Sequence, residues 1–305
     1  MICEQGWEAL RGDTLRWLLD PVRPNVGWRA LIELIGRPPD SPAVRRARGG
    51  ANAAEPVASL LAELHPDGTW ATDARTWSRY AGPGWRLIAA VRWGADPVDP
   101  RLHAASERLL QEVPGTGGLA RRPGARPDPR LTARTLHAMV ALGWKHHARV
   151  QEWLAWFGAM GGWERDPVVA VAVLAASRGG VRPALVDRAV RGLGARLASD
   201  RAGALARLGH PNLLRTDLAE VFAALAVAGV VWRDEWRPGL VRLQRLQDDG
   251  GRWARRVSVP ATLGVPEPEQ PSGFLTLSAT TALLTYAVDA GLPRLFPAKP
   301  PGVGD

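Results

Sequence analysis

A chain of 305 residues is long enough for one large domain or two ordinary ones, and 46% hydrophobic with 23% charged residues is the balance of a soluble globular protein. No apolar run approaches the roughly 20 residues that cross a bilayer, and no basic stretch precedes an apolar one at the start, so a cytoplasmic protein is expected. Cys3 is the only cysteine, which excludes an intrachain disulfide and a multi-cysteine zinc site, and the net charge of +9 rests on 37 arginines against two lysines.

Helical periodicity runs along the whole chain and β-type alternation is nearly absent. Glu8 to Leu19 places Leu10, Leu15, Leu18 and Leu19 on one face. Trp28 to Ile35 is a second run, stopped by Gly36 and Pro38-Pro39. Pro56 can head a third, carrying Val57, Leu60, Leu61 and Leu64. Further runs lie near 76–93, 101–111, 129–142, 147–158, 166–177, 184–197, 215–229, 236–247 and 274–290. About twelve helices and no convincing strand define an all-α class. Residues 1–295 read as one domain, with an N-terminal helical hairpin over 1–53 and repeats over 54–292; 296–305 read as a disordered Pro/Gly-rich tail. The arginines are scattered, never in a block of five, so a solvated surface is favoured over a nucleic-acid stripe.

The helices repeat as a unit. A helix ends in a Gly-rich turn carrying a large residue at Trp70, Leu119, Trp163 and Trp253, with intervals of 49, 44 and 90 residues. The last interval fits two units with a degenerate turn near 199–209. A period in this range means stacked helix pairs. Gly68, Gly118, Gly162 and Gly251 can take positive φ where a helix ends, and Gln247, Asp248 and Asp249 can satisfy free backbone groups. The tryptophans read as wedges between units.

The Gln/Asp-x-x-Gly-x-Trp turn at this period resembles the repeat of prenyltransferases and squalene cyclases. The order of five segments resembles short bacterial squalene-cyclase-like proteins more closely. Those segments are DPVRPNVGWRALIELIGRPPDSPAV, HPDGTW, LGHPNLLRTDLAEVFAALAVAG, LQDDGGRW and PSGFLTLSATTALL, from residue 20 to about 285. The resemblance implies an (α/α)6 toroid, with six inner helices around a central cavity and six outer ones around them. It also implies an apolar, isoprenoid-like ligand in that cavity. The family's chemical signatures are missing: there is no DxDD acid motif, Asp248-Asp249 does not continue as DDxxD, and no zinc set of Asp, Cys and His is present. No metal or cofactor is therefore expected, and whether any reaction is catalysed stays open. The alternative is a catalytically silent scaffold for a protein partner.

In such a toroid the inner helices start at one end, so residues near those starts converge. Candidate ligand-binding residues are Trp77, Tyr80, Trp85, Arg134, His210, Arg215 and Thr216; Thr132, Asp166, Thr276 and Ser278 occupy similar positions. Asp217 reads as a first-turn cap or, chemically, as a cavity acid. His137 lies mid-helix and reads as a core histidine or a cavity-facing proton carrier. Trp77, Trp85 and Trp93 fall on one stripe of a helix, as cavity lining or as core, with Gly82-Pro83-Gly84 interrupting it.

Overall fold

The computed structural model describes residues 8–112, 117–122, 124–177, 182–266 and 268–295, with the backbone alone at 200–202. Cys3 and the expected tail at 296–305 lie outside the described residues. Thirteen α-helices and no strand occur among those described; an isolated bridge joins Leu64 to Trp70. No helix among them is long and apolar enough to cross a membrane.

The helices in chain order are α1 (Thr14–Leu18), α2 (Pro24–Glu33), α3 (Pro42–Ala51), α4 (Val57–Ala62), α5 (Pro83–Arg92), α6 (Pro100–Glu112) and α7 (Pro129–Ala141). They continue as α8 (Ala148–Ala159), α9 (Pro167–Ala176), α10 (Pro183–Leu197), α11 (Leu218–Val227), α12 (Arg237–Arg245) and α13 (Gly273–Tyr286). Proline heads seven of them, where its missing N–H costs nothing and its φ suits the first turn. Asp128, Asp166, Asp217 and Ser272 cap α7, α9, α11 and α13 through side-chain oxygens that accept from first-turn N–H groups.

Three helices differ from the expectation, the first being the run from Glu8 to Leu19, which is α-helical only over α1. The run at 76–93 is helical only over α5, because Gly82-Pro83 starts a new helix and 76–82 form turns. Trp77 therefore leaves the stripe it was expected to share with Trp85 and Trp93. Conversely, α3 forms from PAVRRARGGA, where only Val44 and Ala51 are buried, and its apolar stripe is too thin for periodicity to show.

The packing alternates. α5 lies on α7, α7 on α9, α9 on α11, α11 on α13, and α13 on α2. α2 returns to α5 as Asn25 Nδ2 donates to the Trp93 carbonyl at 3.2 Å and Trp28 Nε1 to that of Gly94 at 2.9 Å. Around these six, α3 covers α2, α6 covers α5, α8 covers α7, α10 covers α9, and α12 covers α11 and α13. α1 lies on α13 and α2. α9, whose residues Val168 to Leu174 are all buried, is apolar all round, as a helix enclosed on every side must be. α2 meets the C-terminal end of α5 rather than its flank, so the circuit of inner helices is stepped.

The Trp turns bind each unit to its neighbours. Trp70, Trp163 and Trp253 are buried. Trp163 Nε1 donates to the Phe157 carbonyl and Trp253 Nε1 to that of Leu243, each at 2.8 Å and each in the preceding outer helix. The next inner helix receives the turn: Leu119 N donates to Thr132 Oγ1 at 2.8 Å and Trp253 N to Thr276 Oγ1 at 3.1 Å. Thr132 and Thr276, expected near a mouth, are thus joints of the scaffold. In the second turn the left-handed glycine is Gly117 and not Gly118. Gly118 is small for another reason, since a Cβ there would come within 2.7 Å of the Trp156 ring.

Gly94 makes the step between α5 and α2 feasible. Its φ is +69°, and a Cβ would lie 2.3 Å from the Asn25 carbonyl oxygen. Gly36 has a similar φ of +75° but nothing within 4 Å of an added Cβ. Gly94→Ala should lower the unfolding free energy by about 3 kcal/mol, and Gly36→Ala by only about 1 kcal/mol, the backbone part alone. Urea titration of the two variants measures the difference; equal losses would mean that the close approach at Gly94 is not what constrains the joint.

Candidate functional site

Side chains from α2, α5, α7, α9, α11 and α13 line an open cavity of about 280 Å3. α7 contributes its C-terminal end, α9 Val171 and Ala175, α11 its length from Glu220 to Val227, α2 its C-terminal half, α5 its last residue and α13 its first half. Part of the lining is aliphatic: Val140, Ala141, Val171, Ala175 and Val227. The polar and aromatic part is Arg29, Glu33, Arg92, His210, Glu220 and Phe274. His137 and Ser278 also border the space.

The charged part of the lining is organised by Glu220. This residue sits in the first turn of α11, three residues after the cap Asp217, but its carboxylate turns to other helices. Oε1 lies 2.6 Å from Arg134 Nη1 and 2.8 Å from Arg92 Nη1; Oε2 accepts from Thr216 Oγ1 at 2.7 Å and from Arg134 Nη2 at 3.1 Å. Arg134 Nη2 also donates to the Arg215 carbonyl. The Arg134 side chain has no exposed surface, so its charge exists in the interior only because Glu220 faces it. Although burial works against ionisation, Arg134 and Arg92 hold the Glu220 carboxyl far below the usual carboxylate range.

A stack lies beside this cluster. The His210 and Phe274 rings are 4.6 Å apart and tilted by only 10°, and the Arg29 guanidinium lies 5.8 Å from the Phe274 ring centre. Arg29 Nε and Nη2 both donate to Glu33 Oε1, at 2.9 and 2.8 Å. His210 Nε2 meets the Arg92 carbonyl at 3.0 Å, a contact that requires the ring to carry its proton there. Burial first, then Arg92 and Arg29, push the His210 imidazole well below its ordinary value, so it is neutral at pH 7.

The sequence-derived candidates divide into four groups. His137 and His210 reach the cavity. Arg134 and Thr216 stand behind it and hold Glu220, and Arg215 contributes a carbonyl while its side chain is exposed. Asp217 does not border the cavity: Oδ2 accepts from Gly209 N and Asn212 Nδ2, each at 2.8 Å, and Oδ1 accepts from Glu220 N at 2.9 Å. Its carboxylate is a buried cap, which leaves it out of reach as a cavity acid. Trp77, Tyr80 and Trp85 form an edge-to-face cluster at the opposite end of α5 from Arg92, with Trp85 fully buried.

Trp77 instead borders a separate hollow of about 440 Å3, whose lining runs up to residues 113–116 and 123, outside the described set. The shared mouth was expected at the helix N-termini. The cavity instead meets α2 and α7 toward their C-terminal ends and α5 at its last residue, while it runs along α11 from Glu220 to Val227. Sequence reasoning missed Arg29, Glu33, Arg92, Glu220 and Phe274; Glu220 was hidden by its capping-box spacing from Asp217.

Among the described residues no three His, Cys, Asp or Glu side chains are placed to hold a metal ion. Comparison with family models, with curated proteins and with solved structures gives no match to the chain.

The Arg134–Glu220 pair should behave as a buried ion pair. Arg134→Met alone should cost about 3–5 kcal/mol by leaving Glu220 short of its main cation, and adding Glu220→Leu should recover much of that loss. A double-mutant cycle in urea reads the coupling; additive losses would place the pair outside a common network.

Asp217 has the opposite electrostatics. Burial, with the Glu220 charge adding to it, raises its pKa to about 6 from an ordinary 3.8. The folded state therefore binds a proton more readily than the unfolded state between those values, and the ionised form is penalised above about pH 6. Asp217→Asn also sets an amide donor against the Gly209 N–H, so the variant should be less stable at pH 7 by about 2 kcal/mol. The wild-type advantage should grow by roughly 2 kcal/mol between pH 7 and pH 4.5, as Asp217 takes up its proton. Denaturation midpoints of both proteins across that range test the sign, and a constant difference would contradict the raised pKa.

Proposed function

We propose that this chain is a terpenoid-cyclase-like α/α toroid protein that binds a small, largely apolar, isoprenoid-like molecule in its central cavity. The observation that carries this reading is the cavity itself, bordered by all six inner helices and aliphatic over part of its lining. The resemblance of the Trp turns and segment order to squalene-cyclase-like proteins supports the same reading, as does the closed circuit from α5 through α13 to α2 and back. A pocket that takes lining from all six of these helices is the usual form of a small-molecule site, so it favours a ligand over a protein partner as the primary role.

The volume narrows the ligand. About 280 Å3 lies just under the ~300–1,000 Å3 of drug-sized pockets, which suits an isoprenoid of about ten carbons and not a thirty-carbon chain. The reading is of binding; no step of bond making or breaking is assigned to these residues.

Titration of the protein with geraniol, followed by tryptophan fluorescence and thermal shift, tests the reading. Wild type should bind saturably. Ala223→Phe, on α11 at the cavity edge, should abolish binding and leave stability within about 1 kcal/mol, because it fills existing space. Absence of saturable binding, or equal binding by the filled variant, would exclude the cavity as a ligand site.

A further inference from the structure

The cavity is lined by charged side chains whose charges cancel. Arg29 and Arg92 border it, and so do Glu33 and Glu220. Each arginine meets one of these acids, Arg29 with Glu33 and Arg92 with Glu220, both at 2.8 Å. Behind the lining, the charge of Arg134 is matched by that of Asp217, which is ionised above about pH 6. An ionic head group would enter this balance with no counter-charge left for it, and its desolvation would go uncompensated. The site therefore suits a molecule that is neutral at pH 7.5.

Hydrogen bonding in the same lining is less complete than charge pairing. His210 is more than nine-tenths buried, with 8% of its surface exposed. Its Nε2 carries the proton that meets the Arg92 carbonyl, so Nδ1 is left as a lone-pair acceptor. Burial, then Arg92 and Arg29, oppose a second proton on the ring. No donor reaches Nδ1 among the described residues, and Nδ1 is not closed off from solvent, so it opens on the cavity that the ring borders. Stacking on Phe274, at 4.6 Å and 10°, fixes the plane in which its lone pair lies. Ser278 follows Phe274 by one helical turn and borders the same space, with a hydroxyl that can donate or accept.

Resting on the reading of the cavity as a ligand site, we infer that its ligand is a neutral alcohol whose hydroxyl donates to His210 Nδ1 and whose hydrocarbon part lies along Val140, Val171 and Val227. The direction of the hydrogen bond selects the class. A lone pair needs a donor, and among oxygen groups the hydroxyl supplies one without charge. Ethers, esters, aldehydes and ketones bring acceptors only. Each would displace water from Nδ1 and leave that nitrogen unpaired. An aliphatic amine is a cation at pH 7.5 and a carboxylic acid an anion, so both meet the balanced charges unfavourably.

The test compares geraniol, geranyl methyl ether and geranic acid by calorimetric titration at pH 7.5 with the full chain. All three share one hydrocarbon skeleton; the ether lacks the donor and the acid is an anion. The alcohol should bind about tenfold more tightly than the ether, and more tightly than the acid. His210→Phe keeps a ring against Phe274 and removes the acceptor, so it should weaken the alcohol to the affinity of the ether. If His210→Phe does not fold, as judged by circular dichroism, NMR of wild type with isotopically labelled histidine nitrogens takes its place. One unprotonated ring nitrogen should then move upfield on addition of geraniol and stay in place with the ether. Equal binding of alcohol and ether by wild type would overturn the hydroxyl inference and leave the cavity reading standing. Tightest binding of the acid would overturn the neutral ligand. Equal loss of alcohol and ether in His210→Phe, or no nitrogen that responds to geraniol, would remove His210 as the hydroxyl's partner. Binding of none of the three would overturn the inference and the cavity reading together.

Discussion

The carboxylate of Glu220 is the constraint on which the centre of this molecule depends. It begins α11, yet its oxygens are held by Arg134 from the middle of α7 and Arg92 from the last turn of α5. Three helices that are far apart in sequence are thereby tied at one point on the cavity wall. Apolar packing alone would let such helices slide, because valine and alanine faces offer many registers of similar energy. A buried charge pair with defined geometry offers one. The arrangement also accounts for Thr216 and the Arg215 carbonyl, which complete the shell around the acid and the fully buried guanidinium.

A second principle is the division of labour between neighbouring acids. Asp217 and Glu220 stand three residues apart, and a helical turn puts them close enough for each to raise the other's cost of ionisation. Asp217 meets N–H groups and the Asn212 amide, whereas Glu220 meets cations. The stronger partners go to Glu220, whose pKa falls, and Asp217 is left with a raised one. Two residues of the same chemistry thus take different roles, one as an anchor of the loop at 209–212 and one as part of a cavity wall.

Most of the scaffold was legible in the sequence because its signals are local. Proline at helix starts, Asp128 and Asp166 before them, and Gly-x-Trp turns at a near-constant interval all act within a few residues of where they are read. α3 escaped because two buried side chains in ten residues make no stripe. The site was less legible, and the reason is equally physical. Arg134 and Glu220 are 86 residues apart, and nothing local marks either as the other's partner. The expected mouth assumed inner helices level with one another. The cavity meets α5 only at Arg92, so the candidates nearest the start of that helix, Trp77, Tyr80 and Trp85, pack with each other away from it. His137 was found as a polar group in the middle of an apolar stretch and His210 by its place ahead of α11, and both border the cavity.

The cluster at Glu220 cannot be judged one residue at a time. Replacing a buried ion cluster by well-packed aliphatic residues is often neutral or stabilising in proteins generally. Leucine at 220 alone would strand Arg134, whose side chain has no exposed surface, so the exchange is tolerable only where Arg134 changes with it. Arg29, Glu33 and Arg92 keep some exposure at the border of the cavity, and water can solvate what their partners leave unsatisfied. The constraint is therefore tightest at the Arg134–Glu220 contact and relaxes toward the cavity.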